Sequence, residues 1–277
     1  MYIDTHAHIL PTFYTDIEDV IEKIRKSDIK KVINIGTTIE ESEAAIKICR
    51  DNPDLFAVSI GIHPDVAKTA DLPELNKQLA ELEKLILESG DILVAIGEAG
   101  YDLKDISLED QPEVLIRQKH LFAKQIELAE KNNLPLIIHC RYALPTLITH
   151  LTETTCRRGV LHSADGTVSE IQEILRLGFY VSFNGILTFK NAEHIRNIAN
   201  VTDISRILLE TDSPFLTPVP YRGKQNDSTY IPYTYSELAK IKNLPESSLR
   251  GILFKNAEQL FHLELNNNST SETNNKE

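Results

Sequence analysis

Eight short apolar segments alternate with amphipathic segments along the 277-residue chain, and this alternation constrains the fold more than any other feature. The apolar segments are rich in Val, Ile and Leu, as buried strands are, and the segments between them repeat apolar residues every three or four positions, as helices do. The predicted strands are 2–4, 30–36, 56–64, 92–98, 134–139, 159–162, 179–183 and 206–211. Strict alternation predicts a parallel sheet covered by helices, and eight strands are the number that closes a barrel.

The sequence therefore predicts an α/β protein, a single TIM-like (β/α)8 barrel over residues 1–265. An open doubly wound sheet is the alternative, but no G-x-G-x-x-G follows the first strand. Residues 212–235 are rich in Pro and turn formers and predict a long functional loop, after which two helices close the chain. The polar, low-complexity residues 266–277 predict a disordered tail.

Composition and charge limit the function classes. The chain has 29 basic and 41 acidic residues, and its net charge of −12 argues against a broad basic groove for duplex DNA. Three cysteines without metal-finger spacing predict reduced thiols and a cytoplasmic location. No apolar run approaches the ~18 residues that span a bilayer, and no signal-peptide pattern precedes the first strand. We therefore expect no membrane association and no stable protein partner.

Histidines and carboxylates collect at the C-terminal ends of the predicted strands. His6 and His8 alternate on the first strand and so share a face, which suits a metal ion and a hydrogen-bonded strand end equally well. Five further residues stand at strand ends: His63, Glu98, His139, His162 and Asp212. Active sites of (β/α) barrels are built at this end. The other histidines lie in helical segments and are expected to be solvated or structural: His120, His150, His194 and His262.

Four imidazoles and two carboxylates exceed the ligands that one catalytic ion needs. They fit two divalent ions bridged by a carboxylate, which can activate water for hydrolysis. Imidazole ligands favour Zn or Mn, and Mg is the third possibility.

Several segments resemble the TatD family of metal-dependent hydrolases. They are "IDTHAH", "GIHP", "AIGEAGYD", "LPLIIHCR", "GVLHSADG", "GILTFKNA", "LLETDSPFLTPVPYRGKQN" and "NAEQLF", between residues 3 and 261. The resemblance implies a TIM-like barrel with a two-metal centre and phosphodiester hydrolysis, often as a 3′-to-5′ exonuclease on DNA or RNA. It further implies that Glu98 bridges one metal held by His6, His8 and Asp212 and another held by His139 and His162.

Catalytic roles are expected for Asp212 and Glu98. Asp212 is the candidate general base, because a carboxylate beside the activated water can take its proton. The same residue could instead cap a helix that begins at "SPF". Glu210 precedes Asp212 by two positions and shares its face, so it is expected to support a ligand or contact substrate.

Phosphate contacts are expected from residues near the strand ends: His63, Arg141, Tyr221, Arg222 and Lys224. Arg offers a bidentate fork for phosphate and Lys a point charge, although "YRGK" also fits a solvated turn. Departures from the family pattern at Tyr101, Leu103, Tyr142, Ser163 and Ala164 remove no metal ligand. Tyr142 and Ala164 lie beside the expected site and bear on substrate preference.

Three functions fit these features. The leading hypothesis is a two-metal hydrolase that cuts phosphodiester bonds at the ends of single-stranded DNA or RNA. A hydrolase of the same fold could instead act on an ester, lactone or amide, since a barrel does not fix the substrate. A non-catalytic scaffold that keeps a metal for stability is the third reading, and it would require a closed coordination shell.

Overall fold

The computed structural model describes residues 1–263, which form one eight-stranded sheet with the strands in chain order. Neighbouring strands are parallel throughout. The strands are β1 (Tyr2–Ala7), β2 (Ile29–Gly36), β3 (Phe56–Ile60), β4 (Leu93–Asp102), β5 (Leu136–Arg141), β6 (Gly159–Leu161), β7 (Tyr180–Phe183) and β8 (Ile207–Leu209). The predicted (β/α)8 barrel is confirmed, whereas the predicted tail at 266–277 lies outside the described residues.

Helices follow the strands and cover the outside of the sheet. They are α1 (Ile17–Arg25), α2 (Ile39–Asp51), α3 (Val66–Thr69), α4 (Leu72–Ser89), α5 (Gln111–Lys131), α6 (Leu144–Glu153), α7 (Val168–Arg176), α8 (Glu193–Val201), α9 (Ile231–Lys242) and α10 (Glu246–Phe261). Among these described helices, none is long and apolar enough to cross a membrane.

The barrel closes where β1 meets the segment after β8. The Asp212 backbone N–H donates to the His6 carbonyl over 2.9 Å, and His8 N–H donates to the Ser213 carbonyl over 2.8 Å. Ala7 and Ser213 form a parallel bridge at the same point. The backbone of Asp212 is thereby fixed beside the two histidines of β1.

A separate apolar cluster fills the interior of the barrel. Ile137, Val160 and Leu208 belong to it, and each lies two residues before a polar residue at the end of its strand. Because side chains alternate along a strand, these apolar residues lie below the polar ones on the same face. Leu260 and Phe261 of α10 join the cluster, so this helix covers the N-terminal end of the barrel. The polar residues are left at the opposite end.

A bulge in β4 turns Glu98 toward the barrel end. Between paired positions, β4 advances four residues (Ile96 to Gly100) while β5 advances three (Leu136 to His139). Gly100 has a φ of +151°, and a Cβ there would lie 2.0 Å from the His139 carbonyl oxygen. A glycine is therefore required for β4 to approach β5 so closely.

The segment after β8 differs from its predicted extent. The loop expected over 212–235 ends early, because α9 begins at Ile231. Pro232 occupies the first helical turn, where its missing N–H costs no hydrogen bond. The prediction of a loop through residue 235 was wrong because proline signals a turn and a helix start equally well.

Candidate metal centre

A cavity of about 890 Å³ opens at the C-terminal ends of the strands. His8, His63, Glu98, His139 and the other strand-end residues His162 and Asp212 line it. His6 lies beneath this lining and is fully buried. The structure thus brings together all the side chains that the sequence assigned to metal.

The carboxylate of Glu98 lies at the centre, with its two oxygens facing different imidazoles. Oε2 lies 3.4 Å from His6 Nε2 and 3.8 Å from His8 Nε2. Oε1 lies 2.5 Å from His139 Nδ1 and 2.8 Å from His162 Nε2. The same carboxylate therefore belongs to two groups of donor atoms.

The first group, the β1 cluster, consists of His6 Nε2, His8 Nε2, Asp212 Oδ1 and Glu98 Oε2. The two imidazole nitrogens lie 3.2 Å apart, and Asp212 Oδ1 lies 3.6 Å from each. Ligand atoms around a tetrahedral ion such as zinc lie about 3.4 Å from one another. This set of nitrogen and oxygen donors therefore fits one divalent ion.

The second group, the β5 cluster, consists of His139 Nδ1, His162 Nε2 and Glu98 Oε1. The two nitrogens lie 3.2 Å apart. Three protein donors leave room for a further ligand, as catalytic metal sites do. Two imidazole nitrogens and one carboxylate oxygen suit Zn or Mn, and Mg, a harder ion, is the alternative.

Asp102 supports the β5 cluster from the side, a role that the sequence analysis missed. Its Oδ2 lies 3.0 Å from His139 Nε2, and its Oδ1 accepts from Lys68 Nζ over 3.0 Å. A proton held on Nε2 by this carboxylate leaves the lone pair of Nδ1 facing Glu98. The available signal was the place of Asp102 at the end of "AIGEAGYD", on the same strand as Glu98.

Glu210 lies behind His162 and is almost fully buried. Its Oε1 accepts from Ser163 N–H over 2.8 Å and lies 3.3 Å from His162 Nδ1. Asn184, which the sequence analysis did not single out, lies 3.4 Å from the same oxygen through Nδ2. Glu210 is thus placed to orient an imidazole rather than to touch a ligand in the cavity.

Of the five residues expected to hold phosphate, two line the cavity and three lie outside its lining. His63 and Arg141 line the cavity, and His63 Nε2 lies 3.6 Å from Glu98 Oε1. Within residues 1–263, the cavity lining does not include Tyr221, Arg222 or Lys224. Arg222 packs over the ring of Phe189 at 4.2 Å, and Lys224 lies 5.3 Å from the ring of Tyr221.

Three of the residues that depart from the family pattern are paired inside the protein or line the cavity. The Tyr101 hydroxyl lies 2.6 Å from His150 Nδ1, so both polar groups are paired inside the protein. Ala164 and Tyr142 line the cavity, and Tyr142 is exposed.

Of the other helical histidines, His120 lies 2.7 Å from Asn76 Oδ1. His120 and His150 thus each contact a polar partner, which agrees with the structural role expected for them.

The surroundings of Glu98 and Asp212 keep both carboxylates negatively charged. Burial by itself would raise the pKa of Glu98, but the neighbouring imidazoles, led by His162, hold that pKa well below its ordinary value. Burial likewise acts to raise the pKa of Asp212, but the hydrogen bond from His8 and the charges of His6, His162 and His8 together leave that pKa lowered. His6 differs, since burial and the charge of His162 lower its pKa. Both carboxylates are therefore ionised at neutral pH, and the pKa values of the neighbouring His8, His139 and His162 are raised in turn.

Replacing Asp102 with Asn tests the support of the β5 cluster. We expect Asp102→Asn to lower zinc affinity about 10- to 100-fold, because the amide cannot hold the proton on His139 Nε2 as a carboxylate does. Competition with a chromogenic chelator measures this affinity. Asp105→Asn is the matched control, since Asp105 is 83% exposed and belongs to neither cluster. Equal affinities in the two variants would contradict the assignment.

Comparisons with known proteins agree with this geometry. A family model described as TatD-related DNase matches residues 3–262. The chain is 34% identical to YabD, an uncharacterized metal-dependent hydrolase of Bacillus subtilis, over 95% of this chain and 100% of the relative. It is 32% identical to YcfH, an uncharacterized metal-dependent hydrolase of Escherichia coli, over 95% and 96%. The solved structure of YJJV, a TatD homologue from Escherichia coli, shares the fold with a TM-score of 0.85 at 24% identity, over 95% of this chain and 98% of that one. The chain therefore belongs to the TatD family of metal-dependent hydrolases.

Proposed function

We propose that this protein is a two-metal hydrolase that cleaves phosphodiester bonds at the ends of single-stranded nucleic acids. The observation that carries the proposal is the arrangement of Glu98, whose two carboxylate oxygens face separate pairs of imidazole nitrogens. A carboxylate shared in this way is typical of centres that hold two ions about 3.5–4 Å apart.

The β1 cluster would hold one divalent ion and the β5 cluster the other, with Zn, Mn or Mg as the candidates. Such ions, when bound, make a water molecule more acidic and neutralise negative charge on the phosphate under attack. Glu98 would fix the separation of the two sites through its shared carboxylate. His63 and Arg141 line the same cavity and would contact the phosphate.

Asp212 is the proposed general base. Its side chain lines the cavity and is 14% exposed, so it can reach water there. Its lowered pKa leaves the carboxylate ionised and able to accept a proton from the attacking water. No helix follows directly after this residue among the described segments, so the helix-capping alternative has no support.

The family description as TatD-related DNase supports a phosphodiester substrate. The net charge of −12 disfavours tracking along a long polyanion, so the proposal is limited to strand ends. The family resemblance alone suggests the polarity, which is 3′-to-5′ exonuclease action on DNA. Phosphate binding by Tyr221, Arg222 and Lys224 stays a prediction for nucleotides beyond the cavity. The three free cysteines fit the predicted cytoplasmic location.

Metal content tests the two-ion centre. We expect wild-type protein reloaded with Zn or Mn to carry close to two ions per chain, and Glu98→Ala to carry fewer because the shared carboxylate is lost. Elemental analysis of dialysed protein measures both numbers. Asp165→Ala is the matched control, since Asp165 lines the cavity but belongs to neither cluster. One ion or none in the wild type, or two in Glu98→Ala, would contradict the two-ion centre.

Linear and closed circular single-stranded DNA of equal length test the substrate. We expect the linear form to be degraded from its ends and the closed circle to resist, because the net charge of −12 disfavours binding along the interior of a strand. Asp212→Asn should lower kcat about 10²-fold or more, as loss of a general base does. This variant, purified in parallel, also reports any contaminating nuclease.

Equal cleavage of the circle would reject end recognition. Hydrolysis of esters, lactones or amides without hydrolysis of DNA or RNA would instead favour the alternative substrate class. A panel of such substrates is therefore assayed beside the oligonucleotides with each metal.

A further inference from the structure

Two phenylalanines border the β1 cluster at the mouth of the cavity. Phe13 follows β1, Phe215 follows β8, and both line the cavity. Their ring centroids lie 6.0 and 6.3 Å from that of His8 and 5.7 Å from each other. Phe215 is 49% exposed, although phenylalanine is among the residues most often buried. The pair thus presents apolar ring surface directly beside a proposed metal ligand.

The backbone beneath these rings is held in place. The buried Asn226 side chain donates from Nδ2 to the carbonyl oxygens of Phe215 over 2.6 Å and Thr211 over 3.1 Å. Gln225 Nε2 donates to the Phe13 carbonyl over 2.6 Å. The exposure of Phe215 therefore belongs to a segment with an anchored backbone, and such a segment loses little backbone freedom when it binds a ligand.

The charges around the cavity do not favour a phosphate backbone away from the metal clusters. Among the described residues that line it, the Lys and Arg side chains are Lys104 and Arg141. Outside the two clusters and Asp102, three carboxylates share this lining: Asp65, Asp165 and Glu170. A nucleic-acid end must therefore gain part of its affinity from groups other than its phosphates.

We propose that the exposed ring of Phe215, against which Phe13 packs edge to face at an interplanar angle of 76°, forms a stacking subsite for the nucleobase next to the scissile phosphate. This inference rests on the proposed function and adds the part of the substrate that is recognised. A base lies one sugar away from its phosphate, and the two ring centroids lie 6.0 and 6.3 Å from that of His8, a member of the β1 cluster. Every base has a π-face, so stacking on aromatic rings tolerates any sequence but requires an unpaired base. The subsite therefore selects single-stranded ends without selecting their sequence.

Equilibrium binding of the metal-loaded protein to matched oligonucleotides tests the subsite. One single-stranded oligonucleotide carries bases throughout, and the other has abasic sites at the last positions of both ends. Terminal phosphorothioate linkages slow cleavage, and fluorescence anisotropy gives Kd. We expect the wild type to bind the abasic form about 5- to 150-fold more weakly, the range that corresponds to stacking of one base.

The Phe215 variants assign this difference to the ring. Phe215→Ala should weaken binding of the complete oligonucleotide by a similar factor and lose the discrimination against the abasic form. Phe215→Trp retains an aromatic face and should retain the discrimination. Leu87→Ala is the control for loss of an exposed apolar side chain, since Leu87 is 72% exposed on α4. If Phe215→Ala does not fold, Phe215→Leu replaces it.

Equal binding of both oligonucleotides by the wild type, or unchanged discrimination in Phe215→Ala, would overturn the subsite. Cleavage of the phosphate-linked oligonucleotide is assayed separately. Base-dependent binding without any cleavage would reject the proposed function and leave the subsite standing. Cleavage by a protein that binds both oligonucleotides equally would support the proposed function and reject the subsite.

Discussion

The interaction on which the site depends is the contact of one buried carboxylate with two pairs of imidazoles. Glu98 is 4% exposed, and an ionised carboxylate at such a depth is costly unless positive charge surrounds it. The imidazoles nearest to its oxygens stand at the ends of β1, β5 and β6. The result is a compact set of nitrogen and oxygen donor atoms joined by one carboxylate.

The barrel supplies this arrangement through backbone constraints rather than through loops alone. The bulge in β4 turns Glu98 inward, and Gly100 lets that strand approach β5 closely enough for His139 to reach the carboxylate. At the other side, backbone hydrogen bonds between the end of β8 and β1 fix Asp212 beside His6 and His8. Asp102 and Glu210 then orient the imidazoles of His139 and His162 from behind.

The strand pattern and the six proposed ligands could be predicted from the sequence because both follow local rules. Apolar runs mark strands, and the C-terminal strand ends of a barrel meet at one end, so histidines there converge. The sequence showed that Asp102 shares a strand with Glu98, but its contact with His139 depends on the register created by the β4 bulge and was therefore missed. The contact between Phe13 and Phe215 could not be predicted either, because it depends on the path of the segment after β8.

Anomalous diffraction from crystals of the wild-type protein reloaded with zinc tests the central claim most directly. Data collected on both sides of the zinc absorption edge locate each ion without reference to activity. We predict two zinc peaks about 3.5–4 Å apart, one among the donor atoms of each cluster, with Glu98 bridging them. A single peak among those atoms, or two peaks of which neither contacts Glu98, would contradict the account.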